Sequence, residues 1–450
     1  MTGEANVPPR NVLIIVITAV LSLACYFQAP RSREARSIVR AMHIISDRYV
    51  KPVETRELYR HAMNGMVDKL DRYSSYIGQD DYTALQASLQ QKFGGIGIMV
   101  DGPPRVERLR VVSPLVGTPA YRAGIQAGDL ILSIDGTSTE GVTLEQAVVM
   151  MRGEQGTEVR LKVLHPGSSE PVEVAVRRDI IQTESVKGDT HREDDSWSFV
   201  LESDPHIGYV RITTFGDRTT RELSVALEQL RSQDVESLIL DLRGCPGGLL
   251  TTAVEACDLF LDQGRIVSTR ERDQVRDVSD ASRGTEFPLD LPMVVLIDRN
   301  SASAAEIVAA CLKDQQRAVV CGQRSWGKGS VQNIIELDDG RSALKLTTAT
   351  YFRPNGKNIH RATRDYQEED PEEWGVKPSD GLRVSLTDEQ LAAVFQARRT
   401  RDVVTNRSVA PSSESPDQTS EEPVIDLQLQ KALEFLREAV KTNPGNVRKA

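Results

Sequence analysis

Apolar residues recur along the chain in patterns that predict different kinds of structure. Between residues 31 and 92 they are three or four positions apart, as at Ile38, Met42 and Ile45, which is the period of an amphipathic helix. From residue 93 to residue 180, short apolar runs alternate with glycines, as expected for strands joined by turns. The pattern therefore predicts a helical region over 31–92 and a small β-rich domain over 93–180.

The central part of the chain, residues 181–398, alternates between strand and helix patterns. Residues 206–212, 237–242 and 293–298 are apolar runs typical of buried strands, and amphipathic helical stretches follow them. Such alternation indicates βα units on a largely parallel sheet. Because ligands of such sheets bind where strands end and helices begin, we expect reactive groups at these junctions.

The chain becomes polar near its end. Residues 399–423 are rich in serine, proline and acidic residues, a composition typical of a disordered linker. A final helix is predicted within 424–450, because Leu429, Leu433 and Leu436 form an apolar stripe. That stripe needs a partner, either in this chain or in a second copy, so a homodimer is one interpretation.

The first 30 residues differ from the rest of the chain. Residues 11–30 include no charged side chain, and about 20 uncharged residues are enough to cross a membrane as one helix. We therefore interpret residues 1–30 as an anchor in the inner or cytoplasmic membrane, with the rest of the chain on the extracytoplasmic (periplasmic) side.

Two alternatives to that anchor stay open. Small residues at 22–24 also suit a cleaved signal peptide, and Cys25 is a weaker match to a lipid attachment site. The positive-inside bias instead favours a cytoplasmic C-terminal side, because Arg10 is outnumbered by basic residues that follow the segment, namely Arg31, Arg33 and Arg36. The two signals thus conflict on orientation.

Composition narrows the classes of partner. The chain of 450 residues carries a formal net charge of -10 with scattered lysines and arginines, which argues against a nucleic-acid partner. Apart from Cys25, the cysteines have neither metal-ligand spacing nor the density of a disulfide scaffold, so we expect buried thiols. We predict no metal ion and no cofactor.

Ser303 lies where an aliphatic strand pattern ends and a helix pattern begins. One interpretation is structural: Asn300 or Ser301 caps the helix, and Glu306 forms a capping box with Ser303. The functional interpretation is that Ser303 is a nucleophile, because free backbone N–H groups at a helix N-terminus stabilise a developing oxyanion.

A serine nucleophile needs a base, and Lys328 is a candidate. None of the six histidines lies in a motif that identifies a catalytic partner. Lys328 lies between two glycines and near Trp326, after an apolar strand pattern, where a lysine can lose its proton near neutral pH. A surface lysine in a turn is the alternative.

Ser325 and Lys328 also fit the Ser-x-x-Lys spacing of penicillin-binding enzymes. Those enzymes place the motif on a helix, and the two glycines beside Lys328 disfavour a helix here.

A third segment, residues 241–248, follows another predicted strand and ends in two glycines. Adjacent glycines let backbone N–H groups approach a ligand closely, as an oxyanion site or a clamp for an extended peptide requires. A tight turn between a strand and a helix is the alternative.

In the chain, a glycine-rich domain is followed by residues 241–248, then by the Ser303 segment and then by the Lys328 segment. These three segments in this chain order resemble those of the carboxyl-terminal processing (tail-specific) serine peptidases. The resemblance implies an α/β fold, with a crotonase-like α/β peptidase core, an inserted β-rich PDZ domain and helical N- and C-terminal segments. It also implies site residues: Ser303 as nucleophile, Lys328 as general base, Gln332 as the residue that orients the lysine, and backbone N–H groups of Gly247 or Gly248 with Ala304 as the oxyanion hole.

Residues 93–98 resemble the PDZ loop that binds the terminal carboxylate of a peptide. The resemblance implies that backbone N–H groups of Gly95, Ile96, Gly97 and Ile98 hold the C-terminus of a substrate while the peptide adds to the domain as a strand. The implied partners are proteins or peptides with free C-terminal tails.

The sequence departs from the family pattern at a few positions. Trp326 replaces the usual phenylalanine, Cys245 stands where asparagine is common, and the linker before the last helix is long. None of these changes removes a catalytic atom. In the PDZ-like segment, Tyr121 replaces a small residue.

The function that follows is that of a serine endopeptidase, which recognises C-terminal tails through a PDZ domain and cuts with a dyad of Ser303 and Lys328. The alternative is a non-catalytic PDZ scaffold whose core only binds tails. The presence of Ser303, Lys328 and Gln332 together favours the enzyme.

Overall fold

The structure is a computed structural model of the chain. It describes residue 11 and residues 13–20, 32–103, 106–272, 274–282, 284–361, 373–404 and 424–442. The chain divides into two compact units. Residues up to Gly78, together with 334–346, form the first unit, and residues 79–333, with those from Thr347 onward, form the second.

The predicted membrane segment is described only in part. Residue 11 and residues 13–20 are helical, whereas the rest of residues 1–30, including Cys25, lies outside the described residues. Among the helices that the structure describes, none is both long enough and apolar enough to cross a membrane.

The first unit contains helices α1 (Arg33–Arg48) and α2 (Thr55–Val67) and strand β1 (Ser75–Ile77). The Ser32 side chain caps α1 by accepting a hydrogen bond from the Ala35 N–H at 3.0 Å. β1 pairs antiparallel with residues 343–345 of a later strand. The apolar spacing predicts both helices but not β1, because the partner of this short strand lies far along the chain.

The second unit begins with helix α3 (Gln79–Leu89) and continues into the β-rich domain. Strand β2 (Lys92–Gly95) pairs antiparallel with β9 (Asp179–Gln182), which brings the two ends of the domain together. The elements between them are β3 (Ile98–Asp101), β4 (Arg110–Pro114), α4 (Pro119–Arg122), β5 (Leu130–Ile134), β6 (Thr137–Ser138), α5 (Leu144–Met151), β7 (Glu158–Leu164) and β8 (Val172–Arg177).

The β-rich domain has its own apolar core. Its main sheet has the strand order β3-β4-β5-β7-β8, and β6 pairs with β5. Buried side chains of these strands pack together, among them Val111, Ile131, Leu161 and Val163. Since β3 is at the edge of the sheet, its outer side can accept a further strand.

The α/β core follows. Its first strands are β10 (Val186–Lys187), β11 (Thr190–His191), β12 (Trp197–Ser198), β13 (Val200–Leu201), β14 (Asp204–Ile212), β15 (Ser237–Asp241), β16 (Arg265–Glu271) and β17 (Gln274–Asp280). Its later strands are β18 (Met293–Ile297), β19 (Val319–Gly322), β20 (Ser330–Leu337) and β21 (Ser342–Phe352). Its helices are α6 (Thr219–Arg231), α7 (Leu250–Asp258), α8 (Ala304–Asp314), α9 (Asp388–Arg401) and α10 (Leu427–Thr442).

Strands β14, β15, β18 and β19 form a parallel sheet in that order, as the alternation of strand and helix patterns predicts. Every residue of β15 and β18 is buried, because apolar clusters cover both faces of this sheet. The carboxyl ends of β15 and β18 lie side by side. The segments that begin at residues 242 and 298 are therefore neighbours.

Helix α10 packs its apolar stripe on the parallel sheet of its own chain. Ala432, Leu433 and Leu436 are buried in a cluster with Tyr209 and Leu296. The apolar stripe is therefore covered within its own chain, so covering it does not require a second copy of the chain in a dimer.

Helix α9 crosses the predicted boundary between core and linker. It ends at Arg401, and residues up to Val404 are described, so the expectation of a linker beginning at residue 399 is wrong by a few residues. Val404 is buried, and its N–H donates to the Ser113 hydroxyl of β4 at 3.1 Å. The remainder of the predicted linker, residues 405–423, lies outside the described residues.

Leu436→Ala should lower the free energy of unfolding by about 2–5 kcal/mol, because removing a fully buried leucine leaves a cavity between α10 and the sheet. Urea unfolding followed by circular dichroism measures this change. Leu427→Ala, at an exposed position of the same helix, is the control and should change the value by less than about 0.5 kcal/mol. Equal losses from the two substitutions would contradict the packing of α10 on the sheet.

Candidate active site

Ser303 connects the parallel sheet to helix α8. It comes shortly after strand β18 and immediately before the first residue of α8. Its backbone has φ of 55° and ψ of -116°, a conformation that non-glycine residues rarely adopt and that costs free energy. The sharp turn leaves Ser303 partly exposed at the end of a buried strand, which suits a group that must meet a substrate.

Asp298 and Ser301 hold this turn against strand β15. One carboxylate oxygen of Asp298 accepts hydrogen bonds at 2.9–3.0 Å from three backbone N–H groups, those of Gly244, Asn300 and Ser301. The Ser301 hydroxyl donates to the Leu242 carbonyl at 2.9 Å. The expectation that Asn300 or Ser301 caps α8 is wrong, because Ser303 itself holds the capping position and the two earlier residues fix the approach to it.

Gly247 and Gly248 lie against the same turn, and both positions require glycine. A Cβ atom on Gly247 would lie 2.8 Å from Ser303 Cβ and 2.9 Å from the Ala304 backbone nitrogen. A Cβ atom on Gly248 would lie 2.1 Å from the Phe215 carbonyl oxygen. Both residues also have positive φ, of 99° and 152°. The structure thus brings Gly247, Ser303 and Ala304 together.

Cys245, in the same glycine-rich segment, is completely buried. Burial raises the pKa of its thiol to about 12. Three further cysteines, Cys257, Cys311 and Cys321, are also buried free thiols, which confirms the expectation from the sequence. Within the described ranges, no group of three or more His, Cys, Asp or Glu side chains is arranged to hold a metal ion.

Glu306 is at the centre of the site. It is fully buried in the first turn of α8, and its carboxylate accepts four hydrogen bonds. Oε2 accepts from the Ser303 N–H at 2.9 Å and from the Lys328 N–H at 2.8 Å. Oε1 accepts from the Gly327 N–H at 2.7 Å and from the Ser325 hydroxyl. One carboxylate therefore binds both the serine segment and the lysine segment.

Two opposing effects act on the charge of Glu306. Burial raises its pKa, whereas the four donors lower the pKa by stabilising the ionised form, and burial is the larger effect. Because both oxygens act only as acceptors in this geometry, the four donors match a carboxylate and not a carboxylic acid. Holding the two segments together thus depends on the ionised side chain.

Tyr351 makes a second connection between the two segments. Its hydroxyl lies 3.2 Å from the Ser303 carbonyl oxygen and within hydrogen-bond distance of the Lys328 carbonyl oxygen. The tyrosine is buried on strand β21. Glu306 therefore accepts from the N–H groups of Ser303 and Lys328, and the one hydroxyl proton of Tyr351 lies between their carbonyl groups, so both side chains bridge the two main chains.

His360 supports the lysine segment. The Gly329 N–H donates to His360 Nδ1 at 3.2 Å, and the histidine is buried. A Cβ atom on Gly329 would lie 2.6 Å from the His360 backbone nitrogen, so the two main chains pass too close for a larger residue. No motif in the sequence points to this histidine.

Gln332 lies on strand β20, four residues after Lys328. Its side-chain nitrogen donates to the Ser330 hydroxyl at 3.0 Å and to the Thr347 hydroxyl at 3.1 Å. These two hydrogen bonds fix the amide group between β20 and β21.

A buried ion pair anchors the glycine-rich segment. The Arg243 guanidinium donates to both oxygens of Asp241, at 2.6–3.1 Å. Burial alone would raise the pKa of Asp241, but Arg243 overrides it and lowers the pKa to about 2. Arg243 also binds Asp426 at 2.9 Å, next to α10, so the last helix is linked to this segment.

Residues 95–98 connect β2 to the edge strand β3 in the β-rich domain. Gly97 has φ of 80°, and a Cβ atom there would lie 2.4 Å from the Thr118 side chain, so the position requires glycine. In the part of the chain that the structure describes, the N–H groups of Ile96 and Gly97 donate to no other protein group. An open sheet edge beside such a loop is the arrangement that binds the end of a peptide.

Models of known protein families match three parts of the chain: Peptidase family S41 over residues 206–368, the PDZ domain over 86–164 and the Activating protease CtpB N-terminal domain over 26–81. A carboxy-terminal-processing protease of Bartonella bacilliformis is 37% identical over 401 residues, which are 87% of this chain and 86% of that protein. The chain belongs to peptidase family S41. It is a carboxyl-terminal processing peptidase of the serine type, and it contains a PDZ domain.

A second relative of this S41 peptidase agrees with that assignment. The carboxyl-terminal-processing protease of a Synechocystis species is 34% identical over 320 residues, which are 71% of this chain and 72% of that protein. Among solved structures, the photosystem II D1 C-terminal processing protease is 25% identical, with a TM-score of 0.43, and the match covers 80% of this chain and 94% of that one. The S41 peptidase has a mixed α/β core, a PDZ domain and helical N- and C-terminal segments.

Several polar contacts tie the PDZ domain to the core of the S41 peptidase, including the Val404–Ser113 hydrogen bond described above. The hydroxyl of Tyr121, which replaces a small residue, donates to the Asp195 carboxylate in the core. Arg399 of α9 pairs with Asp101 at the end of β3, at 2.9 Å. The pair of Arg399 and Asp101 places a core helix next to the edge strand.

Sequence reasoning underestimated Glu306 and missed Tyr351 and His360. Glu306 was expected only to complete a capping box with Ser303, and its carboxylate does accept from the Ser303 N–H. No local pattern in the sequence predicts its hydrogen bonds to the lysine segment. Tyr351 and His360 reach the site from positions that follow Lys328 in the chain, where no spacing rule connects them to it.

Glu306→Gln should reduce kcat/KM on the order of 100-fold, because small shifts of catalytic groups are costly, and should lower the free energy of unfolding by about 1–3 kcal/mol. An amide has one acceptor oxygen where the carboxylate has two, so N–H or O–H donors face the new NH₂ group. Peptide cleavage and denaturant unfolding of the purified variant measure the two effects.

Glu222→Gln is a matched control. The Glu222 carboxylate also accepts from backbone N–H groups, those of Ser185 and Val186, but it joins α6 to β10 and not the serine to the lysine. This variant should lose stability while keeping most of its activity. Cleavage by Glu306→Gln at the rate of the unmodified enzyme would show that the carboxylate does not position the site.

Proposed function

We propose that Ser303 is the nucleophile and Lys328 the general base of this peptidase, on a core with the crotonase-like arrangement that the family resemblance implies. The observation that supports the proposal best is the shared hydrogen bonding of Glu306 and Tyr351 to both residues. One buried carboxylate and one buried hydroxyl set the distance between two main chains. A catalytic pair needs such a fixed distance.

The reaction begins when the neutral Lys328 amine accepts the Ser303 Oγ proton while Oγ attacks the carbonyl carbon of the substrate. The tetrahedral intermediate collapses to an ester on Ser303 as the C–N bond breaks, and the lysine ammonium gives its proton to the leaving amine. A water molecule then attacks the ester and loses a proton to Lys328. That proton returns to Oγ when the acid product leaves, so each cycle hydrolyses one peptide bond and restores both residues.

Backbone N–H groups stabilise the negative charge of the intermediate in this mechanism. We assign this role to Ala304, the first residue of α8, and to Gly247 or Gly248, which lie against the same turn. The N-terminal end of α8 adds the positive end of the helix dipole. Gln332, whose amide is fixed between β20 and β21, orients the lysine.

The PDZ domain recruits the substrate by its free C-terminal tail in this proposal. The N–H groups of Gly95, Ile96, Gly97 and Ile98 hold the terminal carboxylate, and the tail adds as a strand beside β3. Two observations support this role: the available N–H groups of Ile96 and Gly97, and the edge position of β3. Proteins with free tails are then the substrates.

The location of this activity is proposed from the sequence. The uncharged stretch of residues 11–30 supports an extracytoplasmic enzyme that residues 1–30 anchor in the membrane. A cleaved signal peptide would give the same side of the membrane without the anchor.

Ser303→Ala, Lys328→Ala and the double variant should lose cleavage to a similar extent, by more than about 1,000-fold, because the effects of residues that act as one unit are not additive.

Cleavage by the unmodified enzyme should also fall as the pH is lowered, since a protonated lysine cannot accept the serine proton. Steady-state kinetics on an unstructured peptide with an apolar tail measures both effects.

Ser232→Ala and Lys162→Ala, at exposed positions, are the controls and should cleave at the normal rate. Normal cleavage by Ser303→Ala would show that another group is the nucleophile. If the unmodified protein binds tails but cleaves none of the peptides that it binds, the non-catalytic scaffold is the correct function.

Amidation of the substrate C-terminus should weaken binding on the order of 10- to 100-fold, because charge-assisted hydrogen bonds from the loop to the carboxylate are lost. Fluorescence anisotropy with Ser303→Ala, which binds peptides without cutting them, gives the dissociation constants of the acid and the amide. Acetylation of the N-terminus of the same peptide is the control. Equal affinity of the acid and the amide would show that the loop does not recognise the carboxylate.

A further inference from the structure

The main chain of the turn that carries Lys328 is hydrogen-bonded at every polar group. Gly327, Lys328 and Gly329 each have one N–H group and one carbonyl group, and all of these groups have a partner. Gly327 and Gly329 are buried, so solvent would not replace a partner that was lost. The groups around the turn therefore determine the path of the lysine main chain.

Glu306 and Tyr351 bind four of these groups. The Gly327 and Lys328 N–H groups donate to the Glu306 carboxylate. The Lys328 carbonyl oxygen lies within hydrogen-bond distance of the Tyr351 hydroxyl, and the Gly329 carbonyl accepts from the Tyr351 N–H at 3.0 Å. These contacts connect the turn to helix α8 and to strand β21.

Residues 358–361, which follow β21 in the chain, bind the other two groups. The Arg361 N–H donates to the Gly327 carbonyl at 2.8 Å, and the Gly329 N–H donates to His360 Nδ1 at 3.2 Å. This segment thus binds the residues on both sides of Lys328. The first of these contacts is made by the main chain, whereas the second depends on which side chain occupies position 360.

Close packing couples this segment to the turn. A Cβ atom on Gly327 would lie 2.9 Å from Arg361 Cβ, and one on Gly329 would lie 2.6 Å from the His360 backbone nitrogen. His360 itself is only 7% exposed. Because interiors packed this closely transmit displacements, a shift of the His360 ring would move the Gly329 main chain.

The hydrogen bond from Gly329 also defines the state of the His360 ring. An N–H group donates only to a ring nitrogen that carries no proton, so Nδ1 is unprotonated and the imidazole is neutral in this geometry. An asparagine at this position has an acceptor oxygen attached to Cγ, as Nδ1 is in histidine. A leucine has no acceptor there.

We propose that His360 is a positioning residue for Lys328. By accepting from the Gly329 N–H, it fixes the main chain immediately after the lysine and thereby the direction in which the lysine side chain leaves the turn. That direction determines whether the amine reaches the Ser303 Oγ proton. The proposal rests on the dyad of Ser303 and Lys328 proposed above.

His360→Leu removes the acceptor and keeps a buried side chain at the position. It should lower kcat on the order of 10-fold and leave KM nearly unchanged, because a small displacement of a catalytic group is costly while substrate binding is retained. His360→Asn, which restores an acceptor, should recover most of the lost kcat. Steady-state cleavage of the unstructured peptide with an apolar tail measures both constants, and circular dichroism shows whether each variant is folded.

A sulfonyl fluoride reports on the dyad without a peptide substrate. Ser303 Oγ forms a bond to the sulfur, the S–F bond breaks with release of fluoride, and the Oγ proton passes to the Lys328 amine. Mass spectrometry follows the rate of labelling and identifies the labelled residue. Labelling should slow in His360→Leu by the same factor as kcat and should recover in His360→Asn.

His191→Leu is the matched control. The ring nitrogens of His191 lie 2.9 and 3.3 Å from main-chain carbonyl oxygens, those of Asp195 and Asp402, which are not part of the lysine turn. This variant also loses hydrogen bonds of a half-buried histidine. It should be less stable than the unmodified enzyme but keep its kcat and its rate of labelling.

Unchanged kcat and labelling in His360→Leu would overturn the proposal. Equal losses in His360→Leu and in a folded His360→Asn would also overturn it, because the acceptor would then not be the feature that matters. If His360→Leu does not fold, His360→Met takes its place in the comparison, since methionine is a weak acceptor that adapts to irregular cores.

The dyad is judged separately in the same experiment. Labelling of a residue other than Ser303 in the unmodified enzyme would show that the dyad is wrong. Labelling of Ser303 at equal rates in the unmodified enzyme and in His360→Leu would leave the dyad standing and refute the role of His360. Failure of the dyad and failure of the positioning residue are thus distinguishable.

Discussion

The site depends on the burial of one carboxylate. Removing Glu306 from water is costly, and the cost is offset only when its four hydrogen-bond donors converge on it. Those donors come from the serine segment and from a segment up to 22 residues further along the chain. A shift of either segment would leave a buried acceptor without a donor, so the geometry of the site and the stability of the core are maintained by the same bonds.

Close approach of main chains is a second constraint, and it explains where the chain uses glycine. Gly247 lies against Ser303, and Gly329 lies against His360, at distances that leave no room for a Cβ atom. Ser303 meanwhile adopts a positive φ without being glycine. The fully buried strand β18 leads into the turn, and the fully buried strand β15 leads into the glycine-rich segment that lies against it. Rigid supports of this kind keep a strained residue in place.

The elements and contacts that were predictable from the sequence are those with a local cause. The parallel strands, the helices after them and the capping relation of Glu306 to Ser303 follow from periodicity and short spacing. Strands β16, β17, β20 and β21 were not predicted. β16 and β17 form a local hairpin, whereas β16 also pairs with β21, which lies far along the chain. Tyr351 enters the site on β21, so the same non-local pairing hides its role. For Lys328, the local sequence suggested the chemistry but not the carboxylate that positions it.

Two recognition events on one peptide would act together in this enzyme. Once the PDZ domain holds the tail of a substrate, binding of a second segment of the same peptide becomes intramolecular, and the local concentration of that segment is high. A weak interaction of that segment with the active site is then sufficient to bring a bond to Ser303, although it would not hold a free peptide. The length of chain between the tail and the bond that is cut matters as much as the composition of the peptide. Cleavage sites would therefore be set by spacing, which neither recognition site specifies alone.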